Sequence, residues 1–193
     1  MPPKLKFSRE KVVKAALSVV DQLGLSSLTA RNVAIKLGSS TAPVYSHFKT
    51  MDELARAVIM EIKRQLLDYT TRPYTDRVFL NMGTGIGMFA FEHRLLYRAL
   101  MLEGNSHSDV VHEILEILES DMTKDPRFTT LPTGDRHVLL TKMWTFTHGL
   151  ASMICVGLIK DCDQAFITKA LLEMGTDVIG ATLTRHKNSS QGK

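Results

Sequence analysis

Residues 29–48, TARNVAIKLGSSTAPVYSHF, constrain this chain more than any other stretch, because they specify two short helices meeting at a glycine turn. Thr29 is placed to cap the first helix, its hydroxyl accepting an otherwise unpaired N–H of the first turn. Val33, Ala34 and Leu37 give that helix one apolar face, and Gly38 falls where a left-handed residue would end it. Ser39 or Ser40 can cap a second helix running to about Phe48, with Val44 and Phe48 facing inward. Ala34, Gly38 and Val44 have the spacing of a helix-turn-helix. A small side chain lets the helices cross closely, a glycine permits the turn, and a β-branched residue anchors the second helix from below. That helix would expose Thr41, Ala42, Tyr45 and His47, with Lys49 trailing, a set suited to phosphates and base edges. A helical hairpin inside an ordinary core is the competing explanation of the segment taken alone.

Charge separates the two. Residues 1–50 carry eight Lys or Arg against Glu10 and Asp21, a balance of +6, whereas 51–193 carry sixteen against eighteen, a balance of −2. Positive charge that coincides with the helix pair is the footprint of a segment that neutralises phosphates. At 193 residues the chain can bury a core as one domain, or as a small domain fused to a larger one. No apolar run approaches the roughly 20 residues of a membrane span, and MPPKLKF has no apolar stretch behind its basic residues, so no secretory signal is expected. Cys155 and Cys162, if carried on one helix, would stand about 10 Å apart along its axis. That is too far for a disulfide. Both are expected as small buried residues of a cytoplasmic protein.

The rest of the chain reads as helix, giving an all-α fold. Ser8 caps a first helix whose Val13, Ala16, Leu17 and Val20 share a face and which ends at Gly24. Thr50 to Glu53 form a capping box opening a longer helix that breaks at Arg72-Pro73. Further helices are expected over about 76–92, 94–103, 108–123, 134–160 and 163–185, with 186–193 a disordered tail. This predicts two domains: residues 1–50, a three-helix DNA-binding unit, and residues 51–193, joined to it by the fourth helix. No catalytic constellation, metal site or cofactor motif is expected. His107 and His112 are five apart, which suits neither face of a helix, and no HExxH motif is present. The GTGIG run at 83–87 follows no strand and lacks the lysine of a phosphate loop. Its three glycines are unusual inside a helix, each costing up to about 1 kcal/mol relative to alanine. They permit close approach of a ligand or another helix, or mark local unwinding.

With these residues laid out, the chain resembles the tetracycline-repressor (TetR) family of transcription regulators. The resemblance covers roughly Ser8 to Val58 and rests on SREKVVKAAL, LTARNVAIKLG, VYSHF and MDEL. Beyond Val58 it is architectural, with EHRLLYRALM and HGLASM similar to segments of that family's regulatory domains. It implies DNA contacts by Ala30 and Arg31 at the start of the second helix, and by Thr41, Ala42, Pro43, Tyr45, His47 and Lys49 in and after the third. Pro43 stands where a threonine is frequent and Met51 where a lysine is frequent, so two phosphate contacts are lost. It further implies a homodimer through the last two helices, a palindromic duplex-DNA operator and release of that operator by a small molecule. Ala151, Ala170, Gly175, Gly180 and Ala181 offer small positions for helix pairing, and Leu150, Ile154, Leu171, Val178 and Ile179 offer apolar area.

Met82, Ile86, Phe89, Met143, Trp144 and Met153 are adaptable groups of the kind that line apolar cavities. His93, His137 and His148 could add polar contacts. The expected ligand site is Met82, Ile86, Phe89, His93, Met143, Trp144 and His148, and the expected effector is largely apolar and neutral or cationic. The alternative is a regulator of the same fold that answers to a protein partner or to no inducer.

Overall fold

The computed structural model of the chain describes residues 7–103 and 107–191, with side chains to residue 184. Those residues form nine α-helices and no strand: α1 Arg9–Leu23, α2 Ala30–Leu37, α3 Ala42–His47, α4 Met51–Thr70, α5 Val78–Glu92, α6 Arg94–Met101, α7 Ser108–Met122, α8 Thr133–Cys155 and α9 Gln164–Gln191. The chain divides into two compact units, Met1–Gln65 with His93–Val110, and Leu66–Glu92 with Val111–Lys193.

In the first unit α1 is the packing centre. The Ser8 hydroxyl accepts the Lys11 N–H at 3.3 Å, and Gly24, at φ 84, turns the chain out of the helix. Val12, Ala16, Val19 and Val20 are buried, and α1 contacts α2, α3 and α6. Helix α6 brings Leu96, Tyr97, Ala99 and Leu100 into this core. The unit is therefore larger than the 1–50 domain expected, because α1 has apolar surface that only a later helix covers. It holds thirteen Lys and Arg against seven Asp and Glu, so the +6 balance is retained; Lys4 and Lys6 lie outside the described residues. Arg56 pairs with Asp109 through two bonds of 3.0 and 2.5 Å, which holds the Asp109 carboxyl down at about 2.

In the second unit α5 is the packing centre, against α8 and α9. The glycine cluster allows this. A side chain at Gly85 would collide with the backbone of Tyr69 and Thr70 in the last turn of α4, and one at Gly87 would come within 2.6 Å of Ile167 on α9. At Gly83 it would meet Leu171 at 3.3 Å. The cluster thus serves close helix approach, and α5 is unbroken through it. Tyr69 packs edge-on against Phe89 and donates to Glu92 at 2.5 Å; burial, then that bond, push its hydroxyl up to about 12.

Two helix ends differ from expectation. Helix α8 stops at Cys155, five residues early, because Gly157 takes φ 76 and the Leu158 N–H reaches the Met153 carbonyl at 3.0 Å. Cys155 and Cys162 thus flank a loop, both buried and neither in a disulfide. Helix α9, capped by Asp163 on the Phe166 N–H at 2.7 Å, continues to Gln191 and takes in most of the tail expected as disordered. Propagating an established helix is easier than nucleating one, and no Gly or Pro interrupts residues 181–191. Residues 192–193 lie outside the described residues.

Candidate nucleic-acid interface and apolar cavity

The helix pair is built by local rules. Thr29 accepts the Asn32 N–H at 3.2 Å, and the Asn32 side chain in turn donates to the Ser27 carbonyl at 2.7 Å, fixing the entry to α2. Gly38 sits at φ 62, and the N–H of Ser39 returns to the Ala34 carbonyl at 3.0 Å. Val44 and Phe48 are 1% and 2% exposed, so the inner face of α3 is the expected one. Neither serine occupies the cap position of α3, although Ser40 still serves its first turn. Thr41 is the cap position with no side-chain bond, and the Ser40 hydroxyl lies 3.4 Å from the Ala42 N–H. Glu53 accepts the Lys49 N–H at 2.8 Å while its own N–H donates to Thr50 at 3.1 Å, a capping box that rigidifies the corner into α4.

The outer face of α3 presents Ala42, Tyr45 and Ser46, followed by Lys49, with Tyr45 at 55% exposure. Thr41 and Pro43 are half-buried beside them, and Pro43 occupies the first turn, where its missing N–H is harmless. Arg31 is exposed at the start of α2, whereas Ala30 is buried and faces the core. His47 is held back: its Nε2 bonds the Phe7 carbonyl at 2.8 Å, tying the segment before α1 to the end of α3. A carbonyl only accepts, so Nε2 carries the proton. Ser46, and Ser40, which is expected only as a cap, are exposed hydroxyls on the same surface; polar residue type alone does not single them out.

The second unit contains a cavity of about 300 Å³ between α5, α8 and α9. Met82, Ile86, Met143 and Trp144 line it, together with Phe79, Leu140, Leu171 and Ile179. Phe89 does not: it is fully buried against Tyr69. His148 is behind the wall, its ring stacked on Trp144 at 5.7 Å, and burial lowers its pKa. His93 belongs to the first unit, where Nδ1 lies 3.4 Å from Asp21. Met153 is exposed on α8, and His137 pairs with Glu119 at 3.1 Å. Arg77 and Arg127, which apolar periodicity did not mark, also reach the lining. Among the described residues no three His, Cys, Asp or Glu could hold a metal ion, and no helix is long and apolar enough to cross a membrane.

The residues expected to pair helices between copies divide in two. Leu150, Ala151, Ile154, Leu171 and Gly175 are buried within the chain and so are already used in its own core. Gly180 and Ala181 are exposed, and Ala170, Val178 and Ile179 are half-buried.

The chain is similar to Rv0681, an HTH-type transcriptional regulator of Mycobacterium tuberculosis (strain ATCC 25618 / H37Rv), with 33% identity over 98 residues, covering 49% of this chain and 45% of that protein. It is 35% identical over 65 residues to the class D tetracycline repressor of Escherichia coli, covering 34% of this chain and 30% of that one. It therefore spans less than half the length of these curated relatives. No protein-family model matches. Among solved structures, a TetR-family transcriptional regulator from Streptomyces coelicolor superposes with a TM-score of 0.73 over 95% of this chain and 85% of that one, at 14% identity, a likeness of fold.

Proposed function

We propose that this chain, a member of the TetR family, is a dimeric cytoplasmic repressor that binds a palindromic operator and releases it when a small, largely apolar molecule occupies the second unit. The observation that supports this reading is a division of labour. One unit is basic and exposes Tyr45 and its neighbours on a helix-turn-helix, while the other is slightly acidic and holds an apolar cavity. Arg31, Thr41, Ala42, Pro43, Tyr45, Ser46 and Lys49 form the reading surface, and the His47 bond holds Phe7 beside it.

Dimerisation is supported by what the last two helices leave uncovered. Thr145, Gly149 and Met153 follow one another at intervals of four on α8; Phe166, Leu172, Gly180 and Ala181 are exposed on α9. Gly149 faces open space, so a partner helix can approach closely there. A two-fold dimer sets its two reading helices about 34 Å apart, one turn of duplex, and so reads an inverted repeat. An effector that fits one arrangement of the cavity better than another shifts the population, with α4, which runs through both units as a single helix, transmitting the change.

The test is selection of bound duplexes from a random pool, followed by anisotropy titration of the winner at several salt concentrations, with sedimentation of the free protein. An inverted repeat, a steep loss of affinity with salt and a dimeric mass are expected. Recovery of no preferred sequence, or affinity independent of salt, would refute it.

A further inference from the structure

We infer that the cavity of the second unit takes an amphipathic anion, an apolar body ending in a carboxylate whose head is received by Arg77. The inference rests on the reading of this cavity as the effector site and names the chemistry of its occupant. Two ionisable residues line the cavity, Arg77 and Arg127, and no Asp, Glu or His does.

These two arginines are not equivalent. Arg127 is committed to Asp125, its Nε and Nη2 meeting the two carboxylate oxygens at 2.9 and 2.7 Å. Asp125 is 3% exposed and also accepts the Phe79 N–H at 3.3 Å and the Arg127 N–H at 3.1 Å. The Arg127 guanidinium holds the Asp125 carboxyl below its usual range, so the pair stays ionised and forms a neutral part of the wall. Arg77 precedes α5, where its carbonyl accepts the Asn81 N–H at 2.9 Å and its N–H donates to Thr75 at 3.1 Å. Its backbone is thereby fixed, while its exposed guanidinium makes no ion pair or hydrogen bond among the described residues. Asp76 beside it is exposed and not on the lining.

The cavity therefore has an apolar interior and, at its rim, one guanidinium that makes no ion pair among the described residues, with the exposed Asp76 carboxylate near enough to act on Arg127. A cation entering would shed its hydration with no counter-charge to meet. A neutral molecule would gain at most a hydrogen bond from Arg77, without the charge pairing. A carboxylate gains a charge-assisted, two-pronged bond to the guanidinium. At about 300 Å³ the space holds on the order of ten non-hydrogen atoms, at roughly the 30 Å³ share of a water molecule each, which is the size of a medium-chain fatty acid. The acidic balance of this unit, the basis for expecting a neutral or cationic effector, resides on outer faces at residues such as Glu113, Glu116 and Glu173 and not in the cavity.

Trp144, the sole tryptophan and a lining residue, reports occupancy without DNA. Decanoate, decanol and decyltrimethylammonium are titrated against the full-length protein and its Arg77→Leu and Arg77→Lys variants at neutral pH, following Trp144 emission. Wild-type protein is expected to bind decanoate at least about tenfold more tightly than decanol, Arg77→Leu to abolish that preference, and Arg77→Lys to keep part of it. Equal or tighter binding of the ammonium compound, or a carboxylate preference that survives in Arg77→Leu, would overturn the anion assignment and leave the effector cavity standing. No response to any of the three would overturn both.

Discussion

Replacing Gly85 with alanine sets two opposing effects against each other. Alanine in a helix interior is favoured over glycine by about 1 kcal/mol. Against this, the new methyl would occupy the space of the Tyr69 carbonyl and the Thr70 N–H at the end of α4. These are backbone atoms that cannot rotate aside, so α4 and α5 must separate, and forced repacking of that kind costs about 1–3 kcal/mol. The net expectation is a loss of up to about 2 kcal/mol, at most roughly 8 °C in Tm for a chain of this size. Gly83→Ala is the matched control. Its methyl meets the end of the Leu171 side chain at 3.3 Å, which can turn away, and the Thr147 hydroxyl at an ordinary 3.6 Å, so the helix-propensity gain should leave that variant neutral or more stable. Equilibrium urea unfolding followed by circular dichroism, at fixed protein concentration because assembly shifts apparent stability, measures both. A Gly85→Ala protein as stable as Gly83→Ala would show that α4 and α5 do not approach as closely as described.

Tyr45→Ala should lose operator binding while its unfolding midpoint changes by less than about 0.5 kcal/mol, the range for exposed positions; anisotropy and thermal melts measure the two. Gly38→Val should instead destabilise the first unit by at least about 1–2 kcal/mol, because a β-branched residue resists φ 62, seen as a lowered Tm together with lost DNA binding. Asp125→Asn should cost about 1–3 kcal/mol at neutral pH by removing charged hydrogen bonds to Arg127. The folded pKa of Asp125 lies below its unfolded value, so its contribution is complete above the ordinary carboxylate range and is lost as pH falls through the folded value. The variant's unfolding curve should accordingly converge on wild type in acid, and a constant difference across pH would contradict the pairing.

What was legible in the sequence was what is decided within a few residues. The Thr29 cap, the left-handed Gly38, the inward Val44 and Phe48 and the Thr50–Glu53 box each depend on neighbours in the same turn. Apolar periodicity likewise marked α5 and α8 as helices with Met82, Ile86, Met143 and Trp144 inside, and those four meet at one cavity. Periodicity reports burial, not what a buried face meets, and so it grouped Phe89, which fills a packed core, with residues beside open space. His93 was drawn to Asp21, a partner 72 positions away that no local pattern encodes. Arg77 and Arg127 lie before a helix and in a loop, 50 residues apart, and only the packed fold brings them to one wall.

The interruption of the first unit by α5 has a consequence for how this protein can be cut and recombined. Helix α6, which covers α1, is encoded after the chain has already left that unit and come back. During synthesis the first unit stays incomplete until about residue 110 has emerged, so a nascent chain holding only α1 to α3 leaves exposed the apolar surface that α6 later covers. A chimera that transplants residues 1–50 onto another protein inherits α1 to α3 without the helix that covers α1, and should fold only when 93–110 travel with them.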